Sequence, residues 1–369
     1  MNAKRVHALA WAGAIALSSA AAWSAGAAQP VAEKGWRDVL DIPAQLSPLA
    51  SHALLNGLAR AGERTVAVGQ RGHIVYSDDA GKTWQQAQVP VSSDLVAVCF
   101  PTATDGWAVG HDGVVLRTRD GGQSWSTQLD GRRLGKAMVE YYTRAAASSD
   151  DRDRANRLVD EARRFEAQGA ENPFLDVWFR DASNGYVVGA FGLVLRTGDG
   201  GASWEPLLHA ADNPKALHLY AVRGVGADVY IAGEQGLVLK LAAGDERFRA
   251  LALPYKGTLF GVAGGANGQA VVVHGLRGTV LRSTDAGRNW QAVPTGVQVG
   301  LTASTRDDSG RLIIVSQAGH VLASKDDGAS FKPVPVAGAA SAAAVALAAR
   351  TTLVVAGPRG VQTLPLQLP

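Results

Sequence analysis

An eight-residue pattern recurs five times in this chain and limits what it can fold into. It reads Ser or Thr, any residue, Asp, any residue, Gly, any residue, a small polar residue, and then an aromatic residue. Asp accepts hydrogen bonds from nearby backbone N–H groups and Gly tolerates a positive φ, so the pattern predicts a tight turn with the aromatic ring packed beneath it. The copies are SDDAGKTW (77–84), TRDGGQSW (118–125), TGDGGASW (197–204), STDAGRNW (283–290) and SKDDGASF (324–331). We interpret them as folding elements first.

A second pattern, Gly-x-x-Gly between two hydrophobic runs, counts the repeats. Its copies begin at Gly69, Gly110, Gly189, Gly233, Gly275 and Gly357, and residues 316–319 form a variant that begins with Ser. Successive copies start 41 to 44 residues apart, except for one step of 79 that contains an insertion. Seven units of this period predict an all-β, seven-bladed β-propeller with four-stranded antiparallel blades.

Composition supports one large domain. The length of 369 residues alone would suggest two domains, but repeat units that cannot bury their faces alone must pack into one body. The 47% hydrophobic content suffices for a core, and the formal net charge of +3 falls to +1 without Lys4 and Arg5. A nearly neutral chain offers no electrostatic reason for binding nucleic acid or an anionic membrane.

The N-terminus has the pattern of a secretory leader. Lys4 and Arg5 precede an apolar run over residues 8–22, and residues 25–27 (AGA) form a cleavage signal. We expect residues 1–28 to be a signal peptide and residues 29–369 to be a single propeller domain in the periplasm or outside the cell. The alternative is an uncleaved membrane anchor, for which the apolar run is short. The single cysteine, Cys99, lies in an apolar run and is interpreted as a core residue rather than a reactive thiol.

The seventh unit has only three predicted strands before the chain stops. Residues 36–40 (WRDVL), followed by Pro43, resemble the fourth strand of other units. We therefore expect this N-terminal strand to pair with the last blade and close the ring.

The insertion over residues 131–172 differs from the rest because it is nearly free of Gly and rich in Ala, Arg, Glu and Leu. Leu158, Ala162 and Phe165 recur at helical spacing, with Asp150 or Asp151 as a cap and Gly169 as the end of the helix. This pattern predicts a helical insertion after the second blade. It is either a hairpin packed on the propeller or an arm that binds a partner through Tyr141 and Tyr142.

In a four-stranded blade, the turn between the second and third strands lies on the same side as the connections between blades. The Gly-x-x-Gly turns and the insertion should therefore share one face, and the Asp-containing turns should lie on the opposite face. Arg71, Arg277 and Arg359 occupy the same position in three of these turns, and His111 lies in another. The arginines are either solvated turn residues or a cluster that binds carboxylates of a partner.

The pattern GWAVGxxGxVLRTxDGGxSW resembles the photosystem II stability/assembly factor family of seven-bladed propellers, and its turns resemble the Asp-box of bacterial neuraminidases. The resemblance covers about residues 36–364. It implies a non-enzymatic scaffold or assembly factor with an arginine-bearing contact surface, to which Arg71, Arg277 and Arg359 would correspond. The long insertion departs from that pattern, and nothing in the chain points to a photosynthetic host. Relatives of this kind also occur in non-photosynthetic bacteria, for which the resemblance suggests an envelope role, with a membrane exporter as one possible partner.

The alternative function is a sialidase-like glycoside hydrolase or a glycan-binding propeller. Sialidase chemistry needs an arginine cluster, a Tyr–Glu pair and an acidic catalyst, and the channel-side turns offer only Glu234. The 8 His residues have no metal-ligand spacing, and the Gly-x-x-Gly turns do not join a strand to a helix as nucleotide sites do. We therefore expect a monomer with no catalytic residue, metal or cofactor, which binds a protein partner, such as an envelope membrane protein or transporter complex.

Overall fold

The computed structural model describes residues 37–265 and 268–366, which form seven antiparallel sheets and two α-helices. The first three sheets comprise β1 (Leu55–Ala61), β2 (Arg64–Gly69), β3 (Ile74–Ser77), β4 (Gln85–Gln86); β5 (Leu95–Cys99), β6 (Gly106–Gly110), β7 (Val115–Thr118), β8 (Ser126–Leu129); and β9 (Phe174–Phe179), β10 (Gly185–Gly189), β11 (Val194–Thr197), β12 (Glu205–Pro206).

The remaining four sheets follow the same plan, with strands side by side in chain order. They comprise β13 (Leu219–Val225), β14 (Asp228–Gly233), β15 (Val238–Leu241), β16 (Arg249–Ala250); β17 (Leu259–Gly264), β18 (Val271–Gly275), β19 (Val280–Ser283), β20 (Gln291–Ala292); β21 (Leu301–Arg306), β22 (Leu312–Ser316), β23 (Val321–Ser324), β24 (Lys332–Pro333); and β25 (Ala344–Ala349), β26 (Thr352–Gly357), β27 (Gly360–Pro365). Seven sheets confirm the seven repeat units.

The core lies between adjacent sheets. The second strands are almost wholly buried on both faces, as in β6 and β18, which explains why they read as continuous apolar runs. The first strand of each sheet contacts the first strand of the next, and β25 contacts β1. Ala344 and Ala356 of the seventh sheet share a buried cluster with Leu55 of the first. The architecture is that of a β-propeller.

The Asp-containing turns have the predicted geometry. In the first, Asp79 accepts hydrogen bonds from the backbone N–H groups of Lys82 and Thr83 at 3.0 and 2.8 Å, and from the Thr83 hydroxyl at 2.6 Å. Ala80 and Gly81 both have positive φ, at 60° and 85°. The Trp84 indole donates to the Gly81 carbonyl, so the aromatic ring closes the turn from below, as predicted.

The tips of these turns also join neighbouring sheets, which the sequence pattern does not show. Arg117 of the second sheet donates to the Gly200 carbonyl in the turn of the third at 3.0 Å. Arg282 of the fifth donates to the Asp327 carbonyl in the turn of the sixth at 2.8 Å. Between the seventh and first sheets, the Thr363 hydroxyl donates to the Gly81 carbonyl at 2.6 Å.

The Gly-x-x-Gly turns need glycine for close packing. A Cβ at Gly69 would lie 2.2 Å from the Leu54 carbonyl oxygen, just before the first strand of its own sheet. A Cβ at Gly72, where φ is +70°, would lie 2.1 Å from the Val91 carbonyl oxygen in the connection to the next sheet. Each turn is therefore held between the chain entering its sheet and the chain leaving it.

The prediction that an N-terminal strand closes the seventh sheet is wrong for the residues described. That sheet has three strands, and Val39–Asp41 form a 3₁₀ helix instead, while Trp36 lies outside the described residues. The Asp38 carboxylate accepts a hydrogen bond from the Leu40 N–H, which favours a turn over a strand. Leu40 is instead buried in an apolar cluster that contains Val89 and other residues of the first two units.

The insertion forms two helices between β8 and β9, as predicted: α1 (Gly131–Ala147) and α2 (Arg152–Gln168). Asp151 caps α2 by accepting from the Arg154 N–H at 3.0 Å, and Gly169 ends it with a positive φ of 67°. Ala162 and Phe165 are buried among residues of the second and third sheets, and Leu158 packs against that cluster.

The predicted signal peptide, residues 1–28, lies outside the described residues. Within the part of the chain that the structure describes, neither helix has the length and apolar character needed to cross a bilayer.

Candidate functional site

The Gly-x-x-Gly turns, the connections between sheets and the insertion share one side of the domain, which we call the turn face. At the second turn, a Cβ on Gly113 would lie 2.8 Å from the Gly131 Cα and 3.5 Å from the Asn172 carbonyl oxygen. Both ends of the insertion therefore emerge beside this turn. The prediction that helices and turns lie together is confirmed.

The three turn arginines are exposed on this face. Arg71 and Arg277 adopt left-handed backbone conformations, with φ of 54° and 57°, and both residues are exposed to solvent. Arg359 sits in a tighter turn in which Gly357 pairs directly with Gly360. Within the described residues, none of these three guanidinium groups forms an ion pair, whereas twelve other arginines do. Their charges are available to a ligand.

The structure places these arginines side by side only in part. Arg359 and Arg71 belong to the seventh and first sheets, which contact one another. Arg277 belongs to the fifth sheet, with the sixth between it and Arg359. The set therefore forms an arc along one side of the turn face rather than a single compact cluster.

Residues that precede the first strands hold these turns, and the sequence analysis missed them. Asp94, just before β5, accepts from the Arg71 backbone N–H at 2.7 Å, and the His218 imidazole, just before β13, accepts from the Phe191 N–H at 2.9 Å. Each contact ties the turn of one sheet to a later part of the chain. A polar residue immediately before the first strand is the signal that would have found them.

The remaining predicted binding residues differ in accessibility. His111 is exposed at the start of the second turn. Tyr141 is half-buried, and its hydroxyl donates to Glu205 at 2.9 Å. Tyr142 is only 2% exposed, and its oxygen lies between the Leu208 N–H and the Pro206 carbonyl. Tyr142 therefore fastens α1 to the third sheet, and its proposed role in partner contact is corrected.

The large exposed apolar side chains of the described residues lie in or next to the turns, or in the N-terminal segment that passes beside two of them. Phe191 and Leu276 lie in the turns themselves, and Leu54 accepts the N–H of the first turn through its carbonyl. The others belong to the N-terminal segment that runs beside the first sheet: Val39, Leu46 and Leu49. An apolar surface concentrated on one face is typical of protein-binding sites.

A cavity of about 440 Å³ lies where the first strands of the sheets meet. Its wall contains an ion pair between Arg223 and the buried Asp176, whose carboxylate also accepts from the Val222 N–H at 2.8 Å. Burial raises the pKa of Asp176, although the positive charge of Arg223 acts in the opposite direction. His274 is buried between the Leu301 carbonyl and the Ser304 hydroxyl, and burial lowers its pKa to about 4. Asp176, Arg223 and His274 therefore each have hydrogen-bond partners within the protein.

A Tyr–Glu pair of the kind that sialidases use does occur, but at the outer edge of the third sheet. Arg196 donates to Glu205 through Nε and Nη2, at 3.1 and 2.6 Å, beside Tyr141. Burial raises the pKa of Tyr141 to about 12, and Glu205 adds to the effect. Burial would raise the pKa of Glu205, but the hydrogen bonds from Arg196 and Tyr141 lower it. The raised pKa keeps the Tyr141 hydroxyl protonated at neutral pH, whereas a nucleophile needs its pKa lowered or a base to accept its proton.

Metal chemistry finds no support in the described ranges, 37–265 and 268–366, where no group of three His, Cys, Asp or Glu side chains is arranged to hold a metal ion. Cys99 is half-buried, and burial raises the pKa of its thiol to about 11, which favours the unreactive form.

A comparison with models of known protein families identifies the family to which this chain is related. The model of the family described as photosynthesis system II assembly factor YCF48 matches residues 43–118, 76–141 and 160–336, which is most of the domain. The chain belongs to this family. The resemblance that the turn motifs indicated is therefore a relationship to the YCF48 family.

Two curated relatives are similar over shorter stretches. The photosystem II assembly lipoprotein Ycf48 of Synechococcus sp. (strain CC9902) is 28% identical over 159 residues, which is 42% of this chain and 47% of the relative. The chloroplastic photosystem II stability/assembly factor HCF136 of Cyanidioschyzon merolae (strain NIES-3377 / 10D) is 37% identical over 83 residues, 21% of this chain and 19% of that protein. The aligned stretches thus span less than half of these relatives.

Solved structures with the same fold include YCF48 bound to D1 peptide, with a TM-score of 0.59 and 16% identity over 90% of this chain and 99% of that one. The WD40 β-propeller domain of Doa1 has a TM-score of 0.62 at 10% identity, covering 89% of this chain and 96% of that one. The GH74 enzyme of Niastella koreensis has a TM-score of 0.58 at 13% identity, covering 85% and 52%. At these identities the likeness establishes the fold alone.

Proposed function

We propose that this chain is a non-enzymatic assembly factor of the bacterial envelope, which binds a segment of a membrane protein through its turn face. In this proposal the seven sheets close into one ring that acts as a rigid, monomeric platform in the periplasm. A YCF48 structure described as bound to D1 peptide supports peptide recognition by a member of this family.

The observation that carries the proposal is the combination of unpaired arginines and exposed apolar side chains on one face. Arg71 and Arg359 belong to turns of adjacent sheets, and Gly72 and Gly360 of these turns lie close to the N-terminal segment at residues 44 and 51. That segment carries Leu46 and Leu49, which are 72% and 65% exposed. Arginine, with five donors in a fixed plane, binds carboxylates bidentately, and the apolar side chains supply area for burial. A partner segment with both acidic and apolar residues fits this surface.

The test is capture of the partner from the envelope of the organism that makes the protein. Tagged wild-type protein would be compared with a variant carrying Arg71→Ala, Arg277→Ala and Arg359→Ala, and with a variant that lacks residues 133–170. The matched control is Lys82→Ala, Arg119→Ala and Lys325→Ala, which removes three exposed positive charges on the opposite face.

We expect wild type and the control to recover the same membrane protein, and the triple-arginine variant to recover at least about tenfold less of it, since each charge-assisted hydrogen bond contributes about 1.5–3 kcal/mol. Thermal stability should be unchanged in both triple variants because these side chains make no ion pairs in the described residues. Equal recovery by the arginine variant and the control would overturn the assignment of the turn face. Recovery that depends on the insertion would add the helices to the contact surface.

A further inference from the structure

A cleft between α2 and the connection of residues 207–216 carries a concentration of arginines that the turn-face proposal does not use. We call it the insertion cleft. It consists of two adjoining cavities of about 470 and 250 Å³. The larger cavity is lined by Arg154, Arg157, Arg247 and Phe191 among others, and the smaller by Tyr141 and Ala145 among others. Four residues line both: Arg154, Leu158, His209 and Arg247.

Two of these arginines converge on one neutral acceptor. Arg154 Nη2 and Arg247 Nη1 each donate to the His209 carbonyl oxygen at 2.8 Å. Two like charges held at one oxygen repel each other, and a bound anion would relieve that repulsion. The guanidinium of Arg154 has no carboxylate partner among the described residues.

Two of the three acidic groups that line the cleft have other partners. Glu161 lines the larger cavity but pairs with Arg164, and Asp151 lines the smaller cavity but caps α2 by accepting from the Arg154 N–H. Asp212 approaches Arg247 only to 4.0 Å, with both side chains partly exposed. Arg157 is exposed and forms no ion pair within the described part of the chain. The pKa of His209 is lowered by burial, so the imidazole is neutral at pH 7 and adds no charge of its own.

The smaller cavity supplies the apolar half of a binding site. Leu158 and Ala155 of α2 face Tyr141 and Ala145 of α1 across a space that fits one large aliphatic or aromatic side chain. Phe191, which is 48% exposed, extends the apolar surface at the other end of the cleft. Positively charged side chains therefore border an apolar pocket.

We propose that the insertion cleft is a second binding site, which takes an acidic peptide segment with its carboxylates on Arg154, Arg157 and Arg247 and an apolar side chain in the pocket beside Ala145. The site goes beyond the proposed function because its three arginines are separate from Arg71, Arg277 and Arg359, through which the turn face is proposed to bind its partner. It would let the protein hold two segments of one partner, or of two partners, at once.

The test uses fluorescence anisotropy with a fluorescein-labelled decapeptide of alternating glutamate and leucine, at physiological ionic strength. The full-length mature protein should bind this peptide, and a peptide with glutamine in place of glutamate should bind at least about tenfold more weakly. The combination Arg154→Ala with Arg157→Ala should weaken binding of the acidic peptide by a similar factor. Ala145→Trp, at an exposed position that lines the pocket, should weaken it by filling the space.

The matched control is Arg144→Ala with Arg163→Ala, which removes two exposed charges of the same insertion outside the cleft. Equal loss in this control would show general charge attraction and overturn the site, as would absence of binding by wild type. The variant carrying Arg71→Ala, Arg277→Ala and Arg359→Ala should bind the peptide normally, so that failure of the turn face and failure of the cleft give different results.

Discussion

At the residue scale, each Asp-containing turn depends on one carboxylate that collects several donors. Asp285 accepts from the Asn289 N–H at 2.8 Å, from the Asn289 amide at 2.7 Å and from the Ser283 hydroxyl at 2.8 Å. These hydrogen bonds lower its pKa from 3.8 to about 2. The pKa values of the equivalent Asp79 and Asp199 are lowered by the same kind of contacts.

These shifts predict how acid destabilises the protein. A carboxylate with a depressed pKa in the folded state contributes stability that is fully present above its unfolded pKa and is lost as pH falls through the folded value. We expect the free energy of unfolding to fall as pH drops from about 3.8 to about 2. Asp285→Asn should show a smaller fall, because its amide does not titrate. Denaturant titrations followed by tryptophan fluorescence would test this, and equal slopes for variant and wild type would contradict it.

At the scale of elements, the two inserted helices approach closely because α1 has a glycine at the crossing. A Cβ on Gly135 would lie 2.5 Å from the Glu166 Cα and 3.0 Å from its backbone nitrogen. The helices then share a buried core with the second and third sheets through Met138 and Phe165. The insertion is therefore part of the folded domain. The insertion cleft lies beside helices that this buried core holds in place.

The substitution Gly135→Ala tests whether tight packing between the helices outweighs the higher helix propensity of alanine. Alanine in a helix is favoured over glycine by about 1 kcal/mol, so an isolated helix would gain stability. Here the added methyl group meets backbone atoms that cannot move independently, and we expect a loss of about 1–3 kcal/mol instead. Denaturant unfolding followed by circular dichroism at the helical band is the measurement. Ala137→Gly, at an exposed position on the same helix, calibrates the propensity, and a gain for Gly135→Ala would refute the tight crossing.

At the scale of the whole domain, every sheet shares its buried surface with its neighbours, and the seventh reaches the first. The contact between β25 and β1 and the hydrogen bond from Thr363 to the Gly81 carbonyl join the two ends of the repeat array. The described part of the N-terminal segment adds no strand to the seventh sheet. It runs along the first sheet, where the Ala44 N–H donates to the Val89 carbonyl and Asp41 pairs with Arg132 of the insertion at 3.0 Å.

We therefore expect the propeller to unfold in a single transition that is sensitive to this join. Thr363→Val keeps the shape of the side chain but removes the hydrogen bond between the two sheets and leaves the Gly81 carbonyl with the Trp84 indole alone as donor, which should cost about 1 kcal/mol. Thr352→Val on the adjacent strand is the control, because its hydroxyl makes no hydrogen bond with a described residue. Fluorescence and circular dichroism curves should coincide for all three proteins. Separate transitions, or equal effects of both substitutions, would argue against a closed ring.

Features that depend on short stretches of chain could be predicted from the residues alone. The repeat period predicted seven sheets, and the Asp–Gly turns formed as expected because their donors and acceptors lie within five residues of one another, as from Asp79 to Thr83. Asp151 and Gly169 could be assigned to the ends of α2 because helix caps are local contacts. The turn face followed from the same repeat, because strand alternation decides on which side each turn emerges.

Features that depend on distant partners could be seen only in the folded chain. Tyr141 and Tyr142 are neighbours with equal propensity, yet one is half-buried and the other is enclosed by residues 206–208, more than sixty positions later in the chain. The N-terminal segment does not form the predicted strand, because Leu40 is buried in the apolar cluster that contains Val89 and Asp41 pairs with Arg132. The convergence of Arg154 and Arg247 on the His209 carbonyl likewise joins three separate units. Such contacts are set by packing between elements, which no local pattern encodes.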